Sequence, residues 1–325
     1  MNKDVINTKM DIVACVDKWY VMPTGVMLYS ICYNNQNVDI VFHIIVDESV
    51  SEKDKEDLKE TICKFNSKRV EFYPISSLMV KEYPNPFTNG PTPATYYRLF
   101  LTEILPNSID KVIYLDGDIV VRKSLLSLWN IDMSDYAIAA APDICSMEKN
   151  FKNIDNVESF PDYFNAGVLL INLRAWRKQN ITQVFCDYIR DNYDKIYLHD
   201  QDVLNEVFRD KKIILPLMYN YQQHFLLKMW KNDELEFPQE VKETREDPVI
   251  IHYSGMMKPW DRYVRCECPY NSSFYRYQNL SKWKGCRVDR RSRRLRIKNY
   301  IADSLRKLKI KAPLDYKFID ILPID

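Results

Sequence analysis

Short apolar runs alternate with stretches of helical periodicity through the first half of the chain. Asp11–Val16, DIVFHIIV (Asp39–Val46) and Arg69–Tyr73 have the length and continuity of buried strands. Between them, PTGVMLYSICYNN places Pro23 where a first helical turn tolerates it. SEKDKEDLKETICKF, Ser51–Phe65, opens on a serine cap and an acidic first turn. It then sets Leu58, Ile62 and Phe65 on one helical face. Ala94–Leu105 reads as a helix leading into a strand, Val112–Leu115. This order predicts an α/β fold with a mainly parallel central sheet flanked by helices. In the second half, Phe164–Trp176 predicts a strand running into a helix start. Leu198–Phe208 predicts a helix with Val203, Leu204 and Val207 inward, and Val249–Trp260 a strand ending in a glycine loop. From Asp261 the sequence turns Tyr-, Arg- and Lys-rich and predicts a helical C-terminal appendage. The expected division is a body over residues 1–262 and a basic, aromatic-rich tail over 263–325.

Composition adds little to this picture and charge adds more. With 325 residues, 46% hydrophobic and 28% charged, the chain suits one large α/β domain with an appendage. No run approaches the roughly 20 apolar residues of a membrane span, and the polar start MNKDVINTKMD lacks a signal peptide's apolar region, so a cytoplasmic location is expected. Cys15, Cys32, Cys63, Cys145 and Cys186 are scattered in apolar surroundings, as reduced core thiols are. Cys266, Cys268 and Cys286 lack zinc-finger spacing. Between Lys282 and Lys311 thirteen Lys and Arg stand against two Asp, while the whole chain is only +1. A basic module therefore follows an acidic body.

The chemistry begins at KVIYLDGDIVVRKSL, Lys111–Leu125, where Asp116 and Asp118 follow an apolar run. In parallel sheets ligands gather at the carboxyl ends of strands, and Asp17 lies at another such end. A D-x-D pair there suits a hard divalent cation carrying a diphosphate. It equally suits a solvated turn that caps a helix. The chain also holds a second copy, Asp200-Gln201-Asp202. With six glycines and no G-x-G-x-x-G or G-x-x-x-x-G-K-[ST] pattern, a dinucleotide fold or a P-loop is disfavoured.

Six separated segments, CVDKWYV, TYYRL, YLDGDIVV, FNAGVLLIN, HDQDVLN and HYSGMMKPW, carry a resemblance to family 8 glycosyltransferases. These are retaining enzymes of the GT-A fold that use UDP-sugars. The resemblance implies Asp116, Asp118 and His252 as ligands of one Mn²⁺, with Mg²⁺ the alternative. It implies Gly255 and Lys258 as the diphosphate site, with glycine admitting phosphate to the backbone and lysine countering its charge. Asp17 and Tyr20 would hold the uridine, and Gly117 would leave room for the nucleotide. Trp19 stands where the family usually has asparagine. Arg98, Asn165 and Asp200 would surround the donor hexose, though Arg98 could instead be a salt-bridge partner and Asp200 a helix cap. Gln201 would lie nearest the reacting carbon, with Asp143 near the donor–acceptor junction. An amide is a poor nucleophile, so a front-face displacement is expected, with Asp202 either the fallback nucleophile or a structural cap. His43, inside an apolar strand, and His224 read as ordinary core or surface histidines, and His199 as ambiguous.

RRSRRLRIKNYIADSLRKLKIK, Arg290–Lys311, puts Ile297, Ile301, Leu305 and Leu308 at helical spacing among cations. It reads as a binder of anionic membrane surface, with a helix docked on the body as the other reading. No RNA motif accompanies it, so no nucleic-acid partner is expected. CPYNSSFYRYQNLSKW, Cys268–Trp283, resembles the C-terminal signature of the lipopolysaccharide glucosyl- and galactosyltransferase branch. The implied function is transfer of glucose or galactose from UDP to a cell-surface glycan or lipid-linked acceptor at the inner face of the membrane. The rivals are a sugar nucleotidyltransferase and a non-catalytic membrane-associated sugar-binding protein.

Overall fold

The computed structural model describes residues 8–84, 93–143, 162–226, 239–255, 257–261, 268–288 and 293–311. The chain runs β1 (Lys9–Val16), α1 (Val21–Asn34), β2 (Asp39–Val46), α2 (Glu52–Ile62) and β3 (Lys68–Pro74). After 3₁₀ turns over Pro93–Phe100 come α3 (Leu101–Ile104), β4 (Lys111–Leu115), β5 (Ile119–Val121), α4 (Leu126–Trp129) and β6 (Ile138–Pro142). Then follow β7 (Phe164–Asn172), α5 (Leu173–Lys178), α6 (Ile181–Asp191), α7 (Asp200–Val207) and β8 (Lys212–Ile214). The last elements are β9 (Tyr221–Gln222), α8 (Gln239–Thr244), β10 (Ile250–His252), α9 (Asn271–Leu280) and α10 (Arg293–Lys307).

Seven strands form the central sheet in the order β3-β2-β1-β4-β7-β6-β8. Only β7 is reversed, pairing antiparallel with β4 and β6, so the sheet is mainly parallel. The unbroken apolar run of β2 is buried from Ile40 to Val46 because helices cover both faces. Its one polar residue, His43, is held by Asp11 at 2.9 Å and by the Tyr73 hydroxyl at 3.0 Å, a core histidine as its setting predicted. Helix α2 starts where expected: Ser51 and Asp54 cap each other's backbone N–H reciprocally. It ends at Ile62, and Phe65 packs on the core from beyond the helix.

One element differs from its sequence pattern. The helix expected over Ala94–Leu105 is a 3₁₀ stretch to Phe100 with one α-turn after it. Residues 96–100 are all buried, so the segment has no solvent face, and its aromatics are poor α-helix formers. The tighter winding serves three buried directions at once. The strand expected to end in a glycine loop within Val249–Trp260 is Ile250–His252, after which Gly255 turns the chain at φ +76.

A second sheet, β5-β10-β9, sits beside the first. Asp116-Gly117-Asp118 is the step from one sheet to the other, leaving β4 and entering β5. Antiparallel pairing of β5 with β10 sets His252 opposite Ile119, the residue after Asp118.

The appendage is not separate along its whole length. Helix α9 packs Phe274 against Tyr253 and Trp260, with ring centroids 5.8 and 5.0 Å apart. Asn34 Nδ2 donates to the Tyr277 hydroxyl at 2.8 Å, and Trp283 Nε1 to Thr61 Oγ1 at 3.0 Å. Trp283 lies directly on α1: a Cβ at Gly25 would stand 2.1 Å from its Nε1. Residues 268–288 thus share the body's core. Ile297, Tyr300 and Ile301 of α10, and Leu308 and Ile310 after it, are exposed. Among the described residues, Cys63 and Cys286 are exposed rather than buried; Cys63 caps the C-terminus of α2, outside its apolar face. Cys145 and Cys266 lie outside the described residues. No described helix is long and apolar enough to cross a membrane.

Candidate functional site

Three ligand-bearing side chains converge where the two sheets meet. One atom each from Asp116, Asp118 and His252 lies within 4.8 Å of the others. His252 Nε2 is 3.3 Å from Asp118 Oδ1 and 3.9 Å from Asp116 Oδ2. Asp118 Oδ1 is buried and accepts no hydrogen bond. An ionised oxygen left so is expensive unless a cation completes it. Its other oxygen is paired with Lys258 Nζ, which also donates to the Tyr253 carbonyl at 2.6 Å. Burial works against ionisation of Asp118. The charge of Lys258, and then the His252 ring beside it, outweigh this and hold the carboxyl well below the usual range. A buried carboxylate oxygen of Asp118, a half-buried one of Asp116 and an imidazole nitrogen form a fitting donor set for a divalent transition metal.

Arg98 organises the neighbouring side of the site. It is buried, with Nη2 2.7 Å from Asp116 Oδ1 and Nε 3.0 Å from Asp200 Oδ2. It also donates to the carbonyls of Thr95 and Ala166, and its guanidinium lies 4.3 Å over the Tyr114 ring. The Tyr114 hydroxyl donates to the same Asp116 oxygen at 2.9 Å, so Oδ2 is the atom turned toward His252. The salt-bridge reading of Arg98 therefore describes its contacts here. Burial pushes the Asp200 carboxyl up to about 6 against the opposing pull of Arg98, with Asp116 adding to the rise.

Residues 11–263 match the sequence profile of Glycosyl transferase family 8. The chain belongs to that family. It is 32% identical to General stress protein A of Bacillus subtilis over 87% of this chain and 96% of the relative. It is 30% identical to a Lipopolysaccharide 1,2-glucosyltransferase of Escherichia coli, covering 83% of this chain and 78% of that one. The solved galactosyltransferase LgtC, in complex with donor and acceptor sugar analogs, superposes with a TM-score of 0.71 at 25% identity, over 84% of this chain and 96% of LgtC. The family and these neighbours make the protein a retaining hexosyltransferase with a GT-A fold.

In this family 8 transferase an amide network joins the remaining predicted residues. Gln201 Oε1 accepts from Ala166 N–H at 3.0 Å and from Asn165 Nδ2 at 3.2 Å. Its Nε2 donates to Asp143 Oδ2 and to the Tyr163 hydroxyl, each at 3.2 Å. Asn165 Nδ2 also donates to Asp143 at 2.7 Å. Asp202 lies at the back of this cluster. It accepts from the Tyr163 hydroxyl at 2.7 Å and from the N–H groups of Tyr197 and Leu198 at 2.7 and 2.6 Å. Those are the contacts of a cap. His199, buried edge-on to Tyr96, precedes α7 at φ +56, which turns the chain so that Asp200 and Gln201 face the site. Asp200 is the first residue of α7 rather than its cap.

On the nucleotide side, Asp17 closes β1, and its Oδ1 accepts from the N–H groups of Trp19 and Tyr20 at 2.8 and 3.1 Å. This oxygen shapes the turn into α1. Tyr20 stands edge-on to Trp260 at 6.4 Å. A Cβ at Gly117 would lie 2.5 Å from Thr24 Oγ1 and 3.0 Å from Tyr20 Cδ1. The start of α1 occupies that space. The Gly255 loop is held by Gln223 Nε2, which donates to the carbonyls of Ser254 and Met257 at 2.7 Å each. His224 bonds Ser254 Oγ at 3.0 Å and lies against Gly255. Burial pushes its imidazole down to about 4.

The sequence patterns did not single out Asn220, Tyr163, Gln223, His224 or Gly167. A Cβ at Gly167 would stand 2.3 Å from His252 Cε1. In a chain with six glycines, one inside a strand pattern was a usable signal. The others act through tertiary contacts that leave no local mark.

Proposed function

We propose that the transferase moves glucose or galactose from a UDP-sugar to a cell-surface glycan precursor or lipid-linked acceptor, with Mn²⁺ held by Asp116, Asp118 and His252 and Mg²⁺ as the substitute. The observation that carries the metal reading is the buried, unpartnered Asp118 Oδ1 beside His252 Nε2. A divalent cation there supplies positive charge to the diphosphate as the sugar–phosphate bond breaks. Lys258 adds its own charge from the same rim, and the Gly255 loop offers backbone N–H groups to the phosphates. Asp17 and Tyr20 bound the space for the uridine.

The hexose would lie against Asp143, Asn165, Asp200 and Gln201, with Arg98 fixing Asp116 and Asp200 beneath it. Gln201 turns an amide toward the reacting carbon, and Asp202 is engaged by three donors. This favours front-face displacement, the leaving phosphate oxygen taking the acceptor's proton. The names of the relatives, a lipopolysaccharide 1,2-glucosyltransferase of Escherichia coli and a lipopolysaccharide 1,3-galactosyltransferase of Salmonella typhimurium, support an acceptor of that surface-glycan class.

We also place the enzyme in the cytoplasm, at the inner face of the membrane. Exposed Ile297, Tyr300 and Ile301 on α10 lie among cations that would draw it to anionic lipid. Residues 268–288 stay with the catalytic body, so the functional division lies later than residue 262. The deciding assay is UDP release from UDP-glucose and UDP-galactose with and without Mn²⁺, in wild type and Asp118→Ala. Turnover of neither donor, or turnover indifferent to both metal and substitution, would overturn the reading. For the tail, truncation after Asp289 should abolish binding to anionic liposomes and leave donor hydrolysis intact.

A further inference from the structure

Asn220 is fully buried between the two poles of the site. Its role follows from neighbours that can play only one part in a hydrogen bond. The Gly167 N–H only donates, so the Asn165 atom 2.9 Å from it is the amide oxygen. That same oxygen lies 2.9 Å from Asn220, which must therefore present its amide nitrogen. The Asn220 oxygen then faces His252 Nδ1 at 2.9 Å, and Nδ1 must carry a hydrogen. In the neutral imidazole this leaves the lone pair on Nε2, the nitrogen turned toward Asp118 and Asp116. In the other tautomer an N–H would point at the carboxylates, and the ring could not ligate a metal.

We propose that Asn220 is a positioning residue for the metal centre, holding His252 in its ligating tautomer, and that Asn165 holds Asn220 in turn. Because Asn165 also donates to Asp143 and Gln201, the donor-sugar side and the metal side share one chain of oriented amides. A rotation of the Asn165 amide reverses the partner that Asn220 sees, and Asn220 then offers its nitrogen to His252. The inference rests on reading Asp116, Asp118 and His252 as the metal ligands.

The test uses full-length protein and three variants. Asn220→Leu removes the acceptor at His252 Nδ1, whereas Asn220→Asp retains one. Asn165→Leu leaves His252 and Asn220 intact but removes the oxygen that orients Asn220. Long-range ¹⁵N–¹H correlation spectra of the metal-free protein at mildly alkaline pH report the His252 tautomer. Titration of Mn²⁺ followed by electron paramagnetic resonance, with no nucleotide present, reports affinity. Wild type and Asn220→Asp should show Nδ1–H. Asn220→Leu and Asn165→Leu should shift toward Nε2–H and lose about 10–100-fold in Mn²⁺ affinity. An unchanged tautomer with affinity within about twofold of wild type in both Leu variants would overturn the proposal. If Asn165→Leu fails to fold, the contrast of Asn220→Leu with Asn220→Asp decides. Failure of wild type to bind Mn²⁺ would count against the metal reading alone, since the tautomer is read without metal.

Discussion

Arg98 and Asp116 meet at 2.7 Å beneath the candidate metal centre, and the same guanidinium reaches Asp200 from its other edge. One buried cation thus fixes two carboxylates. Burial lowers the Arg98 pKa, but Asp116 and Asp200 outweigh it and keep the group charged. Replacing Arg98 with Ala strands both carboxylates and should destabilise the fold by about 3–5 kcal/mol. Arg98→Lys keeps the charge but loses the fork, so it should fold while losing most transfer activity. Urea unfolding and donor turnover, measured together, separate the two effects.

Gly167→Ala should act first on His252, with the Asn165 amide oxygen the next atom it crowds at 3.0 Å. Its Cβ would stand 2.3 Å from the ring, and displacing the imidazole moves a proposed ligand without touching a carboxylate. The expected result is near-normal far-ultraviolet circular dichroism with weakened Mn²⁺ binding. Unchanged Mn²⁺ affinity would show that the strand yields instead.

Trp283 should stabilise the body although it lies beyond the region matched by the family profile. Trp283→Ala removes a ring packed on Gly25 and bonded to Thr61, at about 2 kcal/mol for a half-buried side chain. Gly25→Ala should displace the same ring by overpacking, costing about 1–3 kcal/mol. Thermal unfolding of both variants should show a lowered Tm, and the double variant should be less than additive because the two share one contact.

His199 gives stability a pH dependence with a definite sign. Burial pushes its imidazole down to about 4 from 6.5. Between those values the unfolded chain binds the proton and the folded one does not. Stability from this group is therefore complete above about pH 6.5 and is lost as pH falls toward 4. Asp200, pushed up to about 6, has the opposite slope in the same window, so the wild-type curve alone mixes the two. His199→Phe keeps an aromatic edge against Tyr96 and removes only the histidine contribution. Denaturation from pH 7 to 5 should then show less loss of stability on acidification in the variant than in wild type.

The elements of the central sheet were legible because their burial is two-sided and continuous. DIVFHIIV can satisfy its apolar run only inside a covered sheet, and Ser51 with Asp54 writes the start of α2 in four residues. The Ala94–Leu105 segment was misread because periodicity cannot show that a segment will be enclosed on every side. The same limit applies at the site. Asp116, Asp118, His252 and Lys258 could be nominated from motif and residue chemistry. The crossing of β4 into β5 and the pairing of β5 with β10 brought them together, across more than a hundred residues. Gly117 and Gly167 are bare because Thr24 and His252 approach them from elsewhere in the chain. By itself the sequence nominated side chains for a metal, a phosphate and a sugar. The tertiary structure alone decided which oxygen of Asp118 is left to a ligand and which nitrogen of His252 faces it. Both depend on groups that can only donate, Lys258 to Asp118 and the Gly167 N–H to Asn165, the second relayed through Asn220 to His252, and those partners exist only once distant segments are packed together.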